Sequence, residues 1–217
     1  MDNNIGDFET NVFINCPFDL EYRRMLHALI FTLIKYGLEP RIALILKDSG
    51  VVRIDKIKEM IEHSKFSIHD ISRMEFLKDG DSPRFNLPFE LGLDFGCRFY
   101  GADKLKDKNL LILEEEKFRY REVISDISGN DVEAHNSKVE AMVRLVWDWY
   151  CDVIGETSEN WKDVWYRFNE FQTHFEKESK ESGFDDSDIE NISIKQYIEL
   201  VKIWLGKIKE QEEVSSR

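Results

Sequence analysis

The 217 residues, 42% hydrophobic and 34% charged, suffice for one α/β domain with an appendage or for two small domains. A formal charge of −13 argues against direct nucleic-acid binding, which neutralises phosphates with Lys and Arg, and against docking on an anionic membrane. Cys16, Cys97 and Cys151 are far apart and lack CxxC spacing, which points to reduced thiols rather than to disulfides or a zinc site; no metal is expected. The amino terminus has no basic stretch leading into an apolar one, and no apolar run nears the roughly 18 residues that span a bilayer, so a cytoplasmic protein is the default expectation.

Residues 11–16 (NVFINC) are apolar and rich in β-formers, and they end at a proline: a buried first strand. Over residues 21–36, Met25, Leu26, Leu29, Ile30, Leu33 and Ile34 recur at three- and four-residue steps, and Gly37 stands where a helix ends. Residues 40–46 (PRIALIL) read as a second strand, followed by a polar turn and a helix carrying Ile54, Ile57, Met60 and Ile61. Residues 66–72 (FSIHDIS) make a third strand, a helix starts near Leu87 or Pro88, and residues 109–115 (NLLILEE) make a fourth strand.

Alternating strands and helices predict a flavodoxin-like α/β layer over residues 8–130, with a parallel sheet of four to five strands and helices on both faces. Beyond residue 131 the texture becomes helical. Val139 to Trp149, Trp161 to Phe175 and Ile194 to Ile208 carry apolar residues at helical spacing, and all five tryptophans lie here. Such stripes are far more often core than ligand box, so residues 131–217 read as a helical extension packing on the sheet or on a partner.

In an open parallel sheet, ligands bind outside the carboxyl ends of the strands. The polar and aromatic residues there are Asn15, Phe18 and Asp19 after the first strand, Asp48, Ser49 and Arg53 after the second, and Asp70, Ser72 and Arg73 after the third; Arg84 and Asn86 lead into Glu90. Each has an ordinary alternative as a cap, a turn residue or a solvated charge. Asp70 resists that explanation, because an acid inside a strand pattern needs a partner. His69 alternates with it, faces the other side of the strand and reads as structural.

Glu90 sits among Leu87, Phe89, Leu91 and Leu93. A first-turn acid complements the helix dipole, which is the plain explanation. Gly92 and Gly96 would clear a bare surface beside it for a backbone or a flat ligand, which makes a partly desolvated site acid.

HDISR followed by RFNLPFELGLDFG resembles a signature of TIR-like and nucleoside 2-deoxyribosyltransferase-like proteins, especially bacterial predicted nucleotide-binding and anti-phage TIR-like proteins: D, L or I, S or T, and later N-x-x-F/Y-E-L/I-G. VFINCPFD and DISGNDVEAH resemble other parts of one such bacterial family, and the likeness covers residues 11–150. It implies N-glycosidic chemistry on NAD or a related nucleotide, which is substrate rather than cofactor, in a defence effector that becomes active on assembly. Glu90 would act at the ribose, and Asp70 would orient the sugar or protonate the base. Asn15, Asp19 and Arg53 would line the nucleotide pocket, with Arg73 or Arg84 available to phosphates. The helical tail, without counterpart in a minimal TIR domain, would carry a homo-oligomer or partner contact.

The chain departs from the animal and plant pattern in having Asn86, Leu87, Pro88 and Phe89, and no tryptophan, before the glutamate. It has no GxGxxG or P-loop, which leaves hydride transfer and NTP hydrolysis without support. Asp126, Asp131 and His135 either cap the following helix or fold back over the site. Two readings stand: a TIR-like N-glycosidase, and a non-catalytic module that binds a nucleotide or a protein and uses Glu90 only as a helix acid.

Overall fold

The computed structural model describes residues 6–45, 48–74, 84–155 and 157–215. Five strands, β1 (Asn11–Asn15), β2 (Glu39–Arg41), β3 (Phe66–Asp70), β4 (Asn109–Glu114) and β5 (Val132–Ala134), form one all-parallel sheet in the order β2-β1-β3-β4-β5. The helices are α1 (Arg23–Lys35), α2 (Arg53–Glu62), α3 (Asn86–Tyr100), α4 (Asp103–Lys106), α5 (Val139–Val153), α6 (Trp161–Glu181), α7 (Asp186–Glu190) and α8 (Ile194–Ser215).

Both faces of the sheet are covered, which is why its strands read as continuous apolar runs. Val12, Ile14, Phe66, Ile68, Leu111 and Leu113 face a core shared with α1, α5, α6 and α8. Residues of opposite parity face α2 and α3: Phe13 packs with Ile57, Met60 and Ile61, and Ile112 with Leu87 and Leu91. This alternation decides which side of the strand ends each polar residue joins.

The second strand is shorter than its apolar run predicts. Only Glu39–Arg41 pairs with β1, and Ala43–Ile45 winds into a 3-10 turn. β2 has a single neighbour, so a strand continued past Arg41 would gain ladder bonds on one side only. The turn instead lets Ala43 pack toward Phe13 and Ile45 toward the α1 core. Leu46 lies outside the described residues.

The helical region is part of the same core. Phe31 of α1 meets Phe168 and Phe171 of α6 at 5.6 Å between ring centroids, and Trp204 of α8 at 6.2 Å. Trp149 of α5 stands edge-on to Phe66 of β3, and its indole donates to Asn109 Oδ1 at 3.0 Å. Residues beyond 130 therefore share a core with those before it, and they include β5. The tail is fastened to the sheet because its aromatic stripes close over α1, which alone could not cover that face. No described helix is long and apolar enough to cross a membrane.

Candidate functional site at the carboxyl ends of the strands

The chain runs from β1 to β2 on one side and returns to β3 on the other, so the topology switches direction at the carboxyl ends of β1 and β3, the place where open α/β sheets bind ligands. Asn15 and Asp70 terminate these two strands, with Asn15 in register with His69. Parity then sends the polar groups into two clusters, one on each face.

Asp70 points to the α1 side, as Phe66 and Ile68 do, and is fully buried. Its Oδ2 accepts from the Tyr22 hydroxyl at 2.5 Å and from His135 Nε2 at 2.9 Å. Its Oδ1 accepts from the Ser72 amide at 3.0 Å and from the Ser72 hydroxyl. Burial alone would raise the pKa of this carboxyl, but the bond from His135, the charge of that ring when protonated, and the bonds from Ser72 and Tyr22 hold it below the ordinary value.

His135 thus folds back over the rim. Asn136 and Ser137 adopt left-handed backbone (φ 50° and 53°), and this tight turn lets the Ser137 amide donate to His135 Nδ1 at 3.0 Å. An accepting Nδ1 makes Nε2 the protonated nitrogen of the neutral ring. Ser72 Oγ and Asp70 both meet that same Nε2. A hydrolase triad needs nucleophile and carboxylate on opposite ring nitrogens, so this Ser-His-Asp group is a clamp rather than a nucleophile.

Glu90 belongs to the other face. α3 begins at Asn86, one residue earlier than expected, which moves Glu90 out of the first turn and removes the helix-dipole explanation. The residue is 5% exposed, and its Oε1 lies 3.5 Å from the guanidinium of Arg53, the first residue of α2. Burial pushes its pKa up; Arg53 offsets this in part, with His69 adding to the offset when protonated. The glycine surface does not flank it: at 100° per residue, Gly92 lies about 200° round the helix. A side chain at either Gly92 or Gly96 would meet nothing within 4 Å, and both glycines share the open side of α3 with Phe85 and Phe89.

Of the other expected site residues, Asn15 is buried and donates to Leu87 O at 2.8 Å. Phe18 packs against the α1 core. Asp19 accepts from the Tyr22 amide at 3.0 Å and lies 3.9 and 3.8 Å from Arg73 and Arg84, while Arg73 also pairs with Glu21 at 3.0 Å. Both arginines expected to meet phosphate therefore face carboxylates, and Arg84 is half exposed. Asp48 turns its Oδ1 onto the Gly50 amide, and Asn86 is exposed at the start of α3. Ser72 belongs to the Asp70 clamp.

The structure does not pair Asp70 with Glu90: strand alternation puts them on opposite faces of the sheet. Both charges are felt at Cys16, directly after β1, where burial and then the charges of Asp70, Asp19 and Glu90 push the thiol up. Residues that sequence reasoning passed over complete the rim. Glu114, buried at the end of β4, accepts from Arg119 at 2.7 Å, and Arg119 also donates to Ser72 O at 2.7 Å. An acid closing an apolar strand was the available signal for Glu114. Tyr22, Asp94 and Lys108 carried none, because each lies within or beside an ordinary helix or loop pattern.

Among the described residues, no group of three or more His, Cys, Asp and Glu side chains is arranged to hold a metal ion. A groove of about 650 Å³ opens between α6 and α8, floored by Phe171, Phe175 and Trp204, in the layer opposite Glu90. No protein-family model, curated protein or solved structure matches the chain.

Proposed function

We propose that this flavodoxin-like, TIR-like chain cleaves the N-glycosidic bond of NAD or a related nucleotide, with Glu90 as the carboxylate that acts at the ribose. The observation that carries the reading is a nearly buried acid at the carboxyl edge of a parallel sheet, with its proton affinity raised by burial and a half-exposed guanidinium beside it. Cleavage breaks the bond from C1′ to the base nitrogen, and the electron pair leaves with the base. The positive charge that develops on the ribose is met by the Glu90 carboxylate, and water captures C1′ and releases a proton. Arg53 is placed to take a phosphate oxygen.

One carboxylate suffices for this chemistry. Asp70, ionised and held by four hydrogen bonds, fits an anchor of the rim better than an acid for the leaving base. The setting that suits such an enzyme is the cytoplasm, as a defence effector that works as an assembly of copies through the helical tail.

A second reading, a nucleotide-binding or protein-binding module without turnover, is favoured by the way Arg53 lies against Glu90 and leaves it 5% exposed. The two separate by chromatography of NAD, NADP, ATP and deoxynucleosides incubated with the wild-type chain and with Glu90→Gln. The enzyme reading expects base release that falls about 10²–10⁴-fold in the variant. Turnover that survives the substitution removes Glu90 from the mechanism. Calorimetric binding of one of these compounds without product supports the module.

A further inference from the structure

Behind Glu90, four buried polar side chains form a single file. Lys108, just before β4, is 1% exposed and donates to Ile61 O at 2.8 Å and Ser64 O at 2.5 Å, with its ammonium 3.2 Å from Asp94 Oδ1. Asp94, one helical turn beyond Glu90 on α3, meets His69 Nε2 at 3.0 Å through Oδ2. His69 Nδ1 lies 3.1 Å from Asn15 Nδ2, which also donates to Leu87 O at 2.8 Å. Asn15, His69 and Asp94 are likewise buried.

Counting donors and acceptors fixes the tautomer of His69. Leu87 O can only accept, so the Asn15 amide turns its nitrogen that way, and its second hydrogen then points at His69 Nδ1. Nδ1 is therefore bare, and the single ring proton sits on Nε2, facing Asp94. One ammonium balances one carboxylate, and the histidine between them and Asn15 carries no charge.

We propose that Lys108, Asp94 and His69 are positioning residues for Glu90. Lys108 neutralises Asp94, this keeps His69 as the neutral Nε2–H tautomer, and the bare Nδ1 holds the Asn15 amide onto Leu87, one turn before Glu90. Without the ammonium, the Asp94 carboxylate draws a proton onto His69. The new Nδ1–H then opposes the Asn15 amide hydrogens, the amide turns over, and its oxygen faces the Leu87 carbonyl. The first turn of α3 comes loose from the sheet.

The groups facing Glu90 are Arg53 from α2, His69 from β3 and Cys16 at the end of β1, with Asp94 on its own helix. A protonated His69 is thus a second cation toward Glu90 and shifts its ionisation to lower pH.

The test uses the full chain with ¹⁵N-labelled histidine and ¹³C-labelled glutamate, followed by NMR at neutral pH. Wild-type His69 is expected with a bare Nδ1 and a protonated Nε2. Lys108→Met is expected to show both nitrogens protonated and Glu90 ionising at lower pH. The double variant Asp94→Asn with Lys108→Met, which removes both charges and keeps an acceptor for Nε2, is expected to return both signals to the wild-type pattern. A protonated Nδ1 in the wild-type chain overturns the inference by itself, even where Lys108→Met does not fold. So does Lys108→Met with a neutral His69, or with an unaltered Glu90.

The consequence for turnover rests on the proposed role of Glu90: kcat should fall about 10²-fold in Lys108→Met and recover in the double variant. If no base is released by any form, the N-glycosidase reading fails while the His69 spectra still decide the proton arrangement. Wild-type kcat in a folded Lys108→Met chain overturns the positioning role.

Discussion

Asp70 and Glu90 occupy the same edge of one sheet, yet Asp70 is an anion with every lone pair used and Glu90 an acid with one distant partner. Tyr22, Ser72 and His135 surround Asp70 from three segments of the chain, so its charge is cheaper to keep than to lose. Glu90 has burial on most sides and one guanidinium at 3.5 Å, so its charge is dearer to keep. Burial alone does not make a site acid. What separates the two carboxylates is how many donors reach each, and a group left short of donors keeps reactivity to offer a ligand.

The largest expected break in this comparison is Asp70→Ala, which strands four donors from three residues in the rim and should cost about 3–5 kcal/mol in urea unfolding. His135→Ala leaves Asp70 buried with one donor fewer and should cost about 2 kcal/mol, and Tyr22→Phe about 1.5 kcal/mol. Equal stability of Tyr22→Phe and wild type would show that the short contact to Asp70 contributes nothing.

The two acids should also give opposite pH slopes. The native pKa of Asp70 is depressed, so its contribution is present above the unfolded value of about 3.9 and is lost as pH falls through the native one. The native pKa of Glu90 is raised, so native chains hold its proton more tightly. Its favourable contribution is complete below about 4.3 and is lost as pH rises through the native value. Glu90→Gln should therefore be as stable as wild type at neutral pH, or more stable by up to about 1 kcal/mol, while Asp70→Asn loses stability there. A Glu90→Gln chain that unfolds more readily would make Glu90 a second structural anchor. Arg53→Ala, at a half-exposed position, should change stability by less than about 0.5 kcal/mol and raise the pH at which Glu90 ionises. Carboxyl NMR of labelled glutamate checks this smallest effect.

Most of the fold was legible. The runs NVFINC and NLLILEE are strands because both faces are covered, and the spacing in α1, α5, α6 and α8 predicts helices with one buried side. The exception, residues 40–45, lies at an edge, where tertiary packing overrules β-propensity. The candidate site was legible in its addresses but less so in its partnerships. Asp19, Asp70 and Glu90 could be placed near strand ends from the chain order, and alternation correctly separated His69 from Asp70. Asp94 and Lys108 could not be found, since an acid and a lysine in amphipathic surroundings look solvated until a histidine from another strand lies between them. His135 depended on two left-handed residues, Asn136 and Ser137, that a sequence pattern does not announce.

By itself, the sequence determined the periodicities, and with them the alternating elements, the parallel layer and the apolar tail, because these follow from local spacing and from covering hydrophobic faces. Only the tertiary structure decided that Asp70 would be saturated and Glu90 left nearly alone. Donor counts and burial depend on segments that meet across 48 to 65 residues of chain, as Tyr22 and His135 do at Asp70, and no local pattern encodes such a meeting.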